Sequence, residues 1–170
     1  SCKARDAGGI FEAFLADASE PELKLELTGD EHGNVEVHID GMPLVVLMAP
    51  TKPVPVLGGV ISGSCIATTS YLLRRGLQRK DCSDRQGILE LGAGRGLLGL
   101  MLAAAFSARA EMTDLEKDVC DALNASVNAT REKGTCLDVH VNQLDWDDGL
   151  EQNLTRSHPG VLLGADLLWA

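Results

Sequence analysis

The sequence predicts an α/β fold, a Rossmann-like parallel sheet with helices on both faces, preceded by a small N-terminal β-meander. Three observations support this prediction. Apolar strands alternate with helical patterns after residue 58, short alternating strands come before it, and a glycine-rich bend follows the first of the later strands. Alternation of strands and helices is typical of a parallel sheet with right-handed crossovers. We therefore divide the chain into an extension, 1–57, and a ligand-binding domain, 58–170.

The extension is expected to contain one short helix and three strands. Apolar residues have helical spacing over 10–18. Apolar and polar residues alternate over 22–27 and 35–39, and a third apolar run covers 44–48, with turn residues between the runs. This pattern is typical of a meander with one solvated face. Residues 50–55 hold three prolines and are expected to form a linker.

The ligand-binding domain alternates helices and strands. The expected elements are helices over 64–77, 97–106 and 116–133, and strands over 87–91, 108–112, 136–141 and 161–168. The helix over 97–106 is apolar on nearly all sides, which indicates burial against a sheet. Ligands of parallel sheets bind at the carboxyl ends of the strands. The polar residues that follow the predicted strands are therefore expected to converge at one edge.

Composition excludes several classes of function. The chain of 170 residues carries 15 basic and 25 acidic side chains, and this net charge of −10 argues against nucleic acid as a partner. No apolar run is long enough to span a membrane and no signal peptide is evident, so we expect no membrane partner and a cytoplasmic protein, with the nucleus also possible. The 5 cysteines are widely spaced and the histidines do not cluster near them, which predicts reduced thiols and no metal site.

The central stretch of the chain is 87–100, with the sequence G-I-L-E-L-G-A-G-R-G-L-L-G-L. Glycines let the backbone turn tightly and approach a ligand, and the helix that follows offers unpaired N–H groups. Gly94, Gly96 and Gly99 also satisfy the dinucleotide fingerprint G-x-G-x-x-G, which is a weak signal alone. Glu90 at the end of a buried strand needs a partner, and suits a ligand with a cation or hydrogen-bond donors. A nicotinamide-dinucleotide dehydrogenase stays an alternative, weakened by Glu90.

Four further residues at strand ends have side chains that suit an adenosine ligand or an active site. Asp114 can accept hydrogen bonds from ribose hydroxyls, or it can cap the helix after it. Asp145 can accept from an adenine amino group and Trp146 can cover the ring, unless the two form a surface turn. Asp166 interrupts an apolar strand, so its carboxylate belongs either to an active site or to a structural hydrogen bond.

The residues Glu90, Gly92, Gly94 and Gly96 form E-x-G-x-G-x-G, which resembles the first motif of the class I, seven-β-strand methyltransferases. In that family the loop holds the amino-acid end of S-adenosylmethionine. The resemblance therefore implies S-adenosylmethionine as the cofactor.

A second segment narrows the resemblance. The sequence G-A-D-L-L-W over 164–169 resembles the G-A-D-x-x-Y segment of the protein-lysine methyltransferase branch, methyltransferase family 16. That branch also has T-D after strand two, L-x-W after strand three and a G-G…Y-L helix, which correspond here to 113–114, 144–146 and 58–72. The resemblance covers 58–170. It implies an S-adenosylmethionine-binding methyltransferase domain that is incomplete after its fourth strand.

The resemblance also implies roles for single residues. Asp166 would position or help to deprotonate the substrate ammonium, and Trp169 would wall the methyl-transfer pocket, with a lysine side chain of a protein as substrate. Ala93 and Ala165 would line the cofactor. The full cofactor-binding set implied is Glu90, Gly92, Ala93, Gly94, Gly96, Asp114, Asp145, Trp146 and Ala165.

Two positions depart from the family pattern. Ser62 stands where the family has a tryptophan that flanks the cofactor, and Trp169 stands where it has a tyrosine, so the hydroxyl is lost. A non-catalytic cofactor-binding or scaffold protein is therefore an alternative, and an arginine or small-molecule acceptor stays open. In a family-like strand order, 3-2-1-4, the strand over 161–168 is an exposed apolar edge. We expect residues 1–170 alone to be poorly soluble or dimeric, and barely active.

Overall fold

The computed structural model describes most of the predicted elements. The described residues are 23–52, 59–77, 87–147, 151, 159–165 and 167. The helix expected over 10–18 and the end of the proline linker lie outside them. The division of the chain after residue 57 also falls outside them, so it stays a prediction.

The predicted meander is confirmed. Strands β1 (Leu25–Gly29), β2 (Val35–Ile39) and β3 (Val45–Leu47) pair antiparallel in the order β1-β2-β3. Their alternation places one side of β2 in the core, where Val37 and Ile39 are buried, as period-two patterning requires. The expected single solvated face is not seen across the whole meander, because four of the five residues of β1 are exposed and all three residues of β3 are buried.

The second sheet is parallel and is flanked by helices. Its strands are β4 (Ile88–Glu90), β5 (Arg109–Asp114), β6 (Asp138–Gln143) and β7 (Val161–Leu163), and the helices are α1 (Gly63–Tyr71), α2 (Leu97–Phe106) and α3 (Lys117–Glu132). The strand order is β6-β5-β4-β7, which is the expected 3-2-1-4. The Rossmann-like α/β class with a preceding meander is thus confirmed. No helix within the described part of the chain is long and apolar enough to cross a membrane.

Several element boundaries differ from the predictions. The helix expected over 64–77 changes after Tyr71 into a π-helical turn, in which the Leu77 N–H donates to the Leu72 carbonyl at 3.1 Å. The strand expected over 136–141 is β6, which begins at Asp138 and ends at Gln143, and the Leu137 carbonyl before it accepts from the Arg131 guanidinium at 3.0 Å.

The last strand is shorter than predicted. The expected strand over 161–168 ends at Leu163 as β7, and residues 164 and 165 lie beyond it. β7 is an edge strand of the sheet, and its Leu162 side chain is exposed. Self-association through this edge stays a prediction.

One hydrophobic core joins the meander to the parallel sheet. Val37, Val45 and Leu47 of the meander belong to the same buried cluster as the residues of α2 and α3. A second cluster lies on the other side of β4, since Leu89 points away from its neighbours Ile88 and Glu90. It contains Leu89, Leu91 and Leu144, with Leu167 packed against them.

Helix α3 also supplies hydrogen bonds to the outer edge of β3. The Val46 N–H donates to Thr130 Oγ1 at 2.9 Å, and the Thr130 hydroxyl donates to the Val46 carbonyl at 3.3 Å. The Met48 N–H donates to Ser126 Oγ at 2.8 Å. Because these backbone groups are largely buried, the hydroxyls satisfy an edge that would otherwise lack partners. The meander is therefore fixed to α3 by polar contacts as well as by the core.

Candidate functional site

The loop between β4 and α2 needs glycine at three positions. Gly92, Gly94 and Gly96 have φ values of 59°, 53° and 83°, in the left-handed region that other residues rarely adopt. The Gly96 N–H closes a turn on the Ala93 carbonyl at 2.8 Å. The glycines of the motif are therefore required by the path of the backbone itself.

The end of β5 holds this loop in place. The Ala93 N–H donates to the Thr113 carbonyl at 2.8 Å, and the Gly94 N–H donates to Asp114 Oδ2 at 2.9 Å. Asp114 Oδ1 accepts from the Glu116 N–H at 3.2 Å. A carboxylate has about four lone-pair sites, so each Asp114 oxygen keeps capacity for a further donor, such as a ribose hydroxyl. The alternative role of Asp114 as the helix cap is wrong, because Glu116 occupies the N-cap of α3.

Glu90 lies under the loop with a partner inside the protein. Its side chain is buried, at 2% exposure, and Oε2 accepts from the Gly99 N–H in α2 at 3.1 Å. Burial raises the pKa of this carboxyl to about 8, the Gly99 hydrogen bond opposes the rise, and the nearby Asp114 charge adds to it. The raised pKa favours the protonated form of Glu90 at neutral pH.

Gly99 has a packing role that the sequence did not predict. A Cβ at this position would collide with Glu90 Oε2 and would also press on Met112. The signal was present in the sequence, since Gly99 completes the dinucleotide fingerprint, but its partner Glu90 could only be identified from the fold.

Trp146 and Leu167 lie against the loop at Gly92. A Cβ on Gly92 would meet Leu167 Cδ2 at 2.7 Å and Trp146 Cζ2 at 3.5 Å. Trp146 is still 40% exposed, and Leu115 after β5 is exposed as well. The carboxyl end of the sheet therefore presents apolar and aromatic surface beside the Asp114 carboxylate. The sequence reasoning missed Leu167.

The structure describes two of the four remaining predicted site residues, Asp145 and Ala165. Asp145 is exposed after β6, and its Oδ1 accepts from the Asp147 N–H at 3.0 Å, as in a surface turn. Ala165 is half-buried just after β7. Asp166 and Trp169 lie outside the described residues, so their roles stay predictions. Glu90, the loop glycines, Ala93, Asp114 and Trp146 are brought together at one end of the sheet.

Thr113 and Arg95 also contact the loop region and were not singled out from the sequence. The Thr113 hydroxyl donates to the Glu90 carbonyl at 2.8 Å and so joins β5 to β4 where the loop begins. The Arg95 guanidinium reaches out of the loop into the meander. Within the described ranges, no group of three or more His, Cys, Asp or Glu side chains is arranged to hold a metal ion.

The arrangement suits a ligand with an adenosine end. It offers carboxylate acceptors for hydroxyl and amino groups, and an exposed indole beside a tightly turned glycine loop. These features lie at the carboxyl ends of parallel strands, where such sheets bind ligands.

Comparisons with known proteins agree with this geometry. Residues 51–170 match the sequence profile of a family described as lysine methyltransferase. The protein-lysine N-methyltransferase EEF2KMT of Mus musculus is 32% identical over 108 residues. That alignment covers 58% of this chain and 32% of the relative, so it spans about a third of the relative's length.

Proposed function

The chain belongs to the lysine methyltransferase family, and from that premise we propose that it is an S-adenosylmethionine-dependent methyltransferase acting on a lysine side chain of a protein. The family match confirms the resemblance predicted from the glycine loop and the 164–169 segment, and it removes the support for a dehydrogenase. The observation that carries the proposal is the hydrogen bond from Gly94 to Asp114, which sets a carboxylate beside the glycine loop.

The described residues fit an S-adenosyl ligand. Asp114 would accept from the ribose hydroxyls, Asp145 would accept from the adenine amino group, and Trp146 would cover the adenine ring. Glycines 92, 94 and 96 would let the amino-acid end approach the backbone, with Ala93 and Ala165 lining the site. When bound, the cofactor supplies a methyl group on a sulfonium.

Glu90 has two possible relations to the bound cofactor. Its Oε2 accepts from the Gly99 N–H and so supports the start of α2 beside the loop. A direct contact with the cationic amino end of the cofactor is implied by the family resemblance. Both relations need a side chain that accepts hydrogen bonds at this position.

In methyl transfer the protein contributes mainly the alignment of the two reacting groups, and little covalent chemistry. A neutral lysine amine must be held in line with the methyl group, and such positioning lowers the barrier strongly. We assign Asp166 to holding the substrate ammonium and taking up its proton, and Trp169 to the wall of the pocket. An aromatic face also stabilises a cationic amine.

A protein substrate is supported by the family and by the similarity to the mouse protein-lysine N-methyltransferase. The net charge of −10 is compatible with a basic segment around the target lysine. The charge alone does not select such a substrate, because a solvated acidic surface has the same composition.

A non-catalytic cofactor-binding or scaffold protein is the second candidate. Ser62, which replaces a family tryptophan, caps α1 instead, where its Oγ accepts from the Cys65 N–H at 3.1 Å. This capping role gives Ser62 a structural purpose that does not depend on methyl transfer.

A transfer assay separates the two candidates. The protein is incubated with tritiated S-adenosylmethionine and a heat-treated cell extract, and the labelled products are hydrolysed to amino acids. Label in methyl-lysine supports the proposal. Label in methyl-arginine or in small molecules would show that the acceptor is an arginine or a small molecule instead. Cofactor binding without label in any fraction supports the scaffold candidate.

A further inference from the structure

The side chain of Arg95 connects the glycine loop to the N-terminal meander. Its Nη2 donates to the Leu47 carbonyl at 2.7 Å and to the Gly33 carbonyl at 2.9 Å. Leu47 is the last residue of β3, and Gly33 lies in the turn between β1 and β2. One guanidinium nitrogen therefore bridges the loop to two separate segments of the meander.

Arg95 is suited to this task by its place in the loop. Residues 92–96 read G-A-G-R-G, so Arg95 is the one residue there with a side chain longer than a methyl group. It lies between Gly94 and Gly96, which have left-handed backbone conformations and no side chains that could pack. Any side-chain attachment of this part of the loop must therefore pass through Arg95.

The contact is not an ordinary surface interaction. The Arg95 side chain is half-buried, and its Nε is shielded from solvent without a hydrogen-bond partner among the described atoms. Burial lowers the pKa of the guanidinium, and the nearby Asp30 carboxylate opposes this change. Charge-assisted hydrogen bonds in partly buried places are stronger than neutral ones, and they fix geometry.

The two carbonyls that accept from Arg95 lie in parts of the meander that are held by hydrogen bonds and by burial. The Asp30 carboxylate accepts from the backbone N–H groups of His32 and Asn34, each at 2.9 Å, and so closes the turn that contains Gly33. Asn34 Oδ1 accepts from the Ala49 N–H at 2.9 Å, which ties this turn to the residues after β3. Leu47 is fully buried. Arg95 thus reaches a preorganised pair of carbonyls.

The loop is held from two sides as a result. On one side, Thr113 and Asp114 of β5 accept hydrogen bonds from the backbone N–H groups of Ala93 and Gly94. On the other side, Arg95 reaches the meander. Neither side alone fixes the whole loop, since the β5 contacts end at Gly94 and α2 begins only at Leu97.

We propose that Arg95 is a positioning residue through which the N-terminal meander becomes part of the cofactor site. The proposal rests on the proposed function, because it concerns the affinity of the same loop for an S-adenosyl ligand. Coupling between two sites is reciprocal, so ligand binding at the loop must also stabilise the meander turn. Typical couplings change affinity by roughly 5- to 150-fold, and we expect the loss of Arg95 to fall in this range.

The first test compares Arg95→Gln with a matched control, Arg74→Gln. Arg74 also donates to a carbonyl of the meander segment, Leu23, at 3.3 Å, and its Nε is likewise buried without a partner in the described region, but it lies in the π-helical turn. Calorimetric titration with S-adenosylhomocysteine is expected to give weaker binding for Arg95→Gln and unchanged binding for Arg74→Gln. Arg95→Lys, which keeps a charged donor, is expected to recover part of the affinity. Equal affinities in all four proteins, or equal weakening by both glutamine variants, would overturn the proposal.

Hydrogen exchange of the intact wild-type protein provides the second test, which needs no variant to fold. S-adenosylhomocysteine is expected to slow exchange at the Asn34 and Ala49 amides as well as in the loop, and by more than at amides that exchange only through global unfolding, which any bound ligand also slows. Protection of the loop without protection of these amides contradicts the proposal.

The two proposals fail in different ways. A wild-type protein that binds no S-adenosylhomocysteine contradicts the proposed function and removes the basis of the Arg95 proposal. A wild-type protein that binds, beside an Arg95→Gln variant that binds equally, contradicts only the Arg95 proposal.

Discussion

The carboxylate of Asp114 accepts a 2.9 Å hydrogen bond from the backbone N–H of Gly94, and this contact joins the end of β5 to the glycine loop. Asp114 ends β5, and Gly94 lies in the loop that follows β4. The same side chain therefore shapes the loop from the end of the neighbouring strand.

Replacing Glu90 with glutamine should change how stability depends on pH. The pKa of Glu90 is raised from its ordinary 4.5 to about 8, so the folded state holds a proton that the unfolded state releases between these values. As the pH rises through this range, the free energy of unfolding of the wild type should therefore fall. Glu90 alone should contribute a slope of up to about 1.4 kcal/mol per pH unit. Glu90→Gln lacks the titrating proton and should lack this contribution.

Urea denaturation of both proteins at pH 5.5, 6.5 and 7.5 measures the difference. The other titrating groups are shared, so the difference isolates Glu90. The advantage of the wild type over Glu90→Gln should shrink, or the variant should become the more stable protein, as the pH rises. A difference that does not change with pH contradicts the raised pKa.

Introducing a methyl group at Gly99 should destabilise the fold through Glu90. The new Cβ would collide with Glu90 Oε2 and press on Met112, and overpacking of this kind costs about 1–3 kcal/mol. The cost should be smaller in a Glu90→Ala background, because that change removes the colliding atom. A double-mutant cycle from chemical denaturation measures this coupling, and additive free energies would show that the two residues are independent.

Replacing Trp146 with alanine should weaken binding of S-adenosylhomocysteine. Stacking of a base on an aromatic side chain contributes about 1–3 kcal/mol, which corresponds to roughly 5- to 150-fold in affinity. The chain has 2 tryptophans, so a Trp169→Phe background leaves Trp146 as the single indole reporter. Its fluorescence should change on ligand addition. Unchanged fluorescence at saturation, together with unchanged affinity in Trp146→Ala, places adenine elsewhere.

Replacing Thr130 with valine should weaken the attachment of the meander to α3. The change removes the hydroxyl that bonds both backbone groups of Val46, and buried groups left unsatisfied cost about 1–3 kcal/mol each. The matched control is Thr28→Val on exposed β1, where a change within about 0.5 kcal/mol is expected. Equal denaturation midpoints for Thr130→Val and the wild type would mean that the core alone attaches the meander.

The sequence was sufficient for the parts that depend on local pattern. The period of the apolar residues predicted the strands and helices, and the motif glycines predicted the loop, because left-handed backbone leaves few other residues possible. The helix expected over 116–133 is α3, and Gly134 follows its end with φ of 90°. The strand order followed from the family resemblance.

The contacts between distant segments could not be predicted in this way. Glu90 was expected to need a partner, but its choice of Gly99 depends on how α2 returns over β4. The contact of Arg95 with Gly33 and Leu47 depends on where the meander packs, which no local pattern specifies. The π-helical turn after Tyr71 likewise has no sequence signal that we recognised.

Calorimetric titration of the wild-type protein with S-adenosylhomocysteine tests the central claim most directly. Asp114→Ala is the test variant, and Asp138→Ala is the control, since Asp138 is exposed at the start of β6, at the opposite end of the sheet. We predict saturable binding by the wild type and the control. Affinity should fall about 10- to 100-fold in Asp114→Ala, because hydrogen bonds to charged groups contribute about 1.5–3 kcal/mol. Absence of binding by folded wild-type protein, or undiminished binding by Asp114→Ala, would contradict the account.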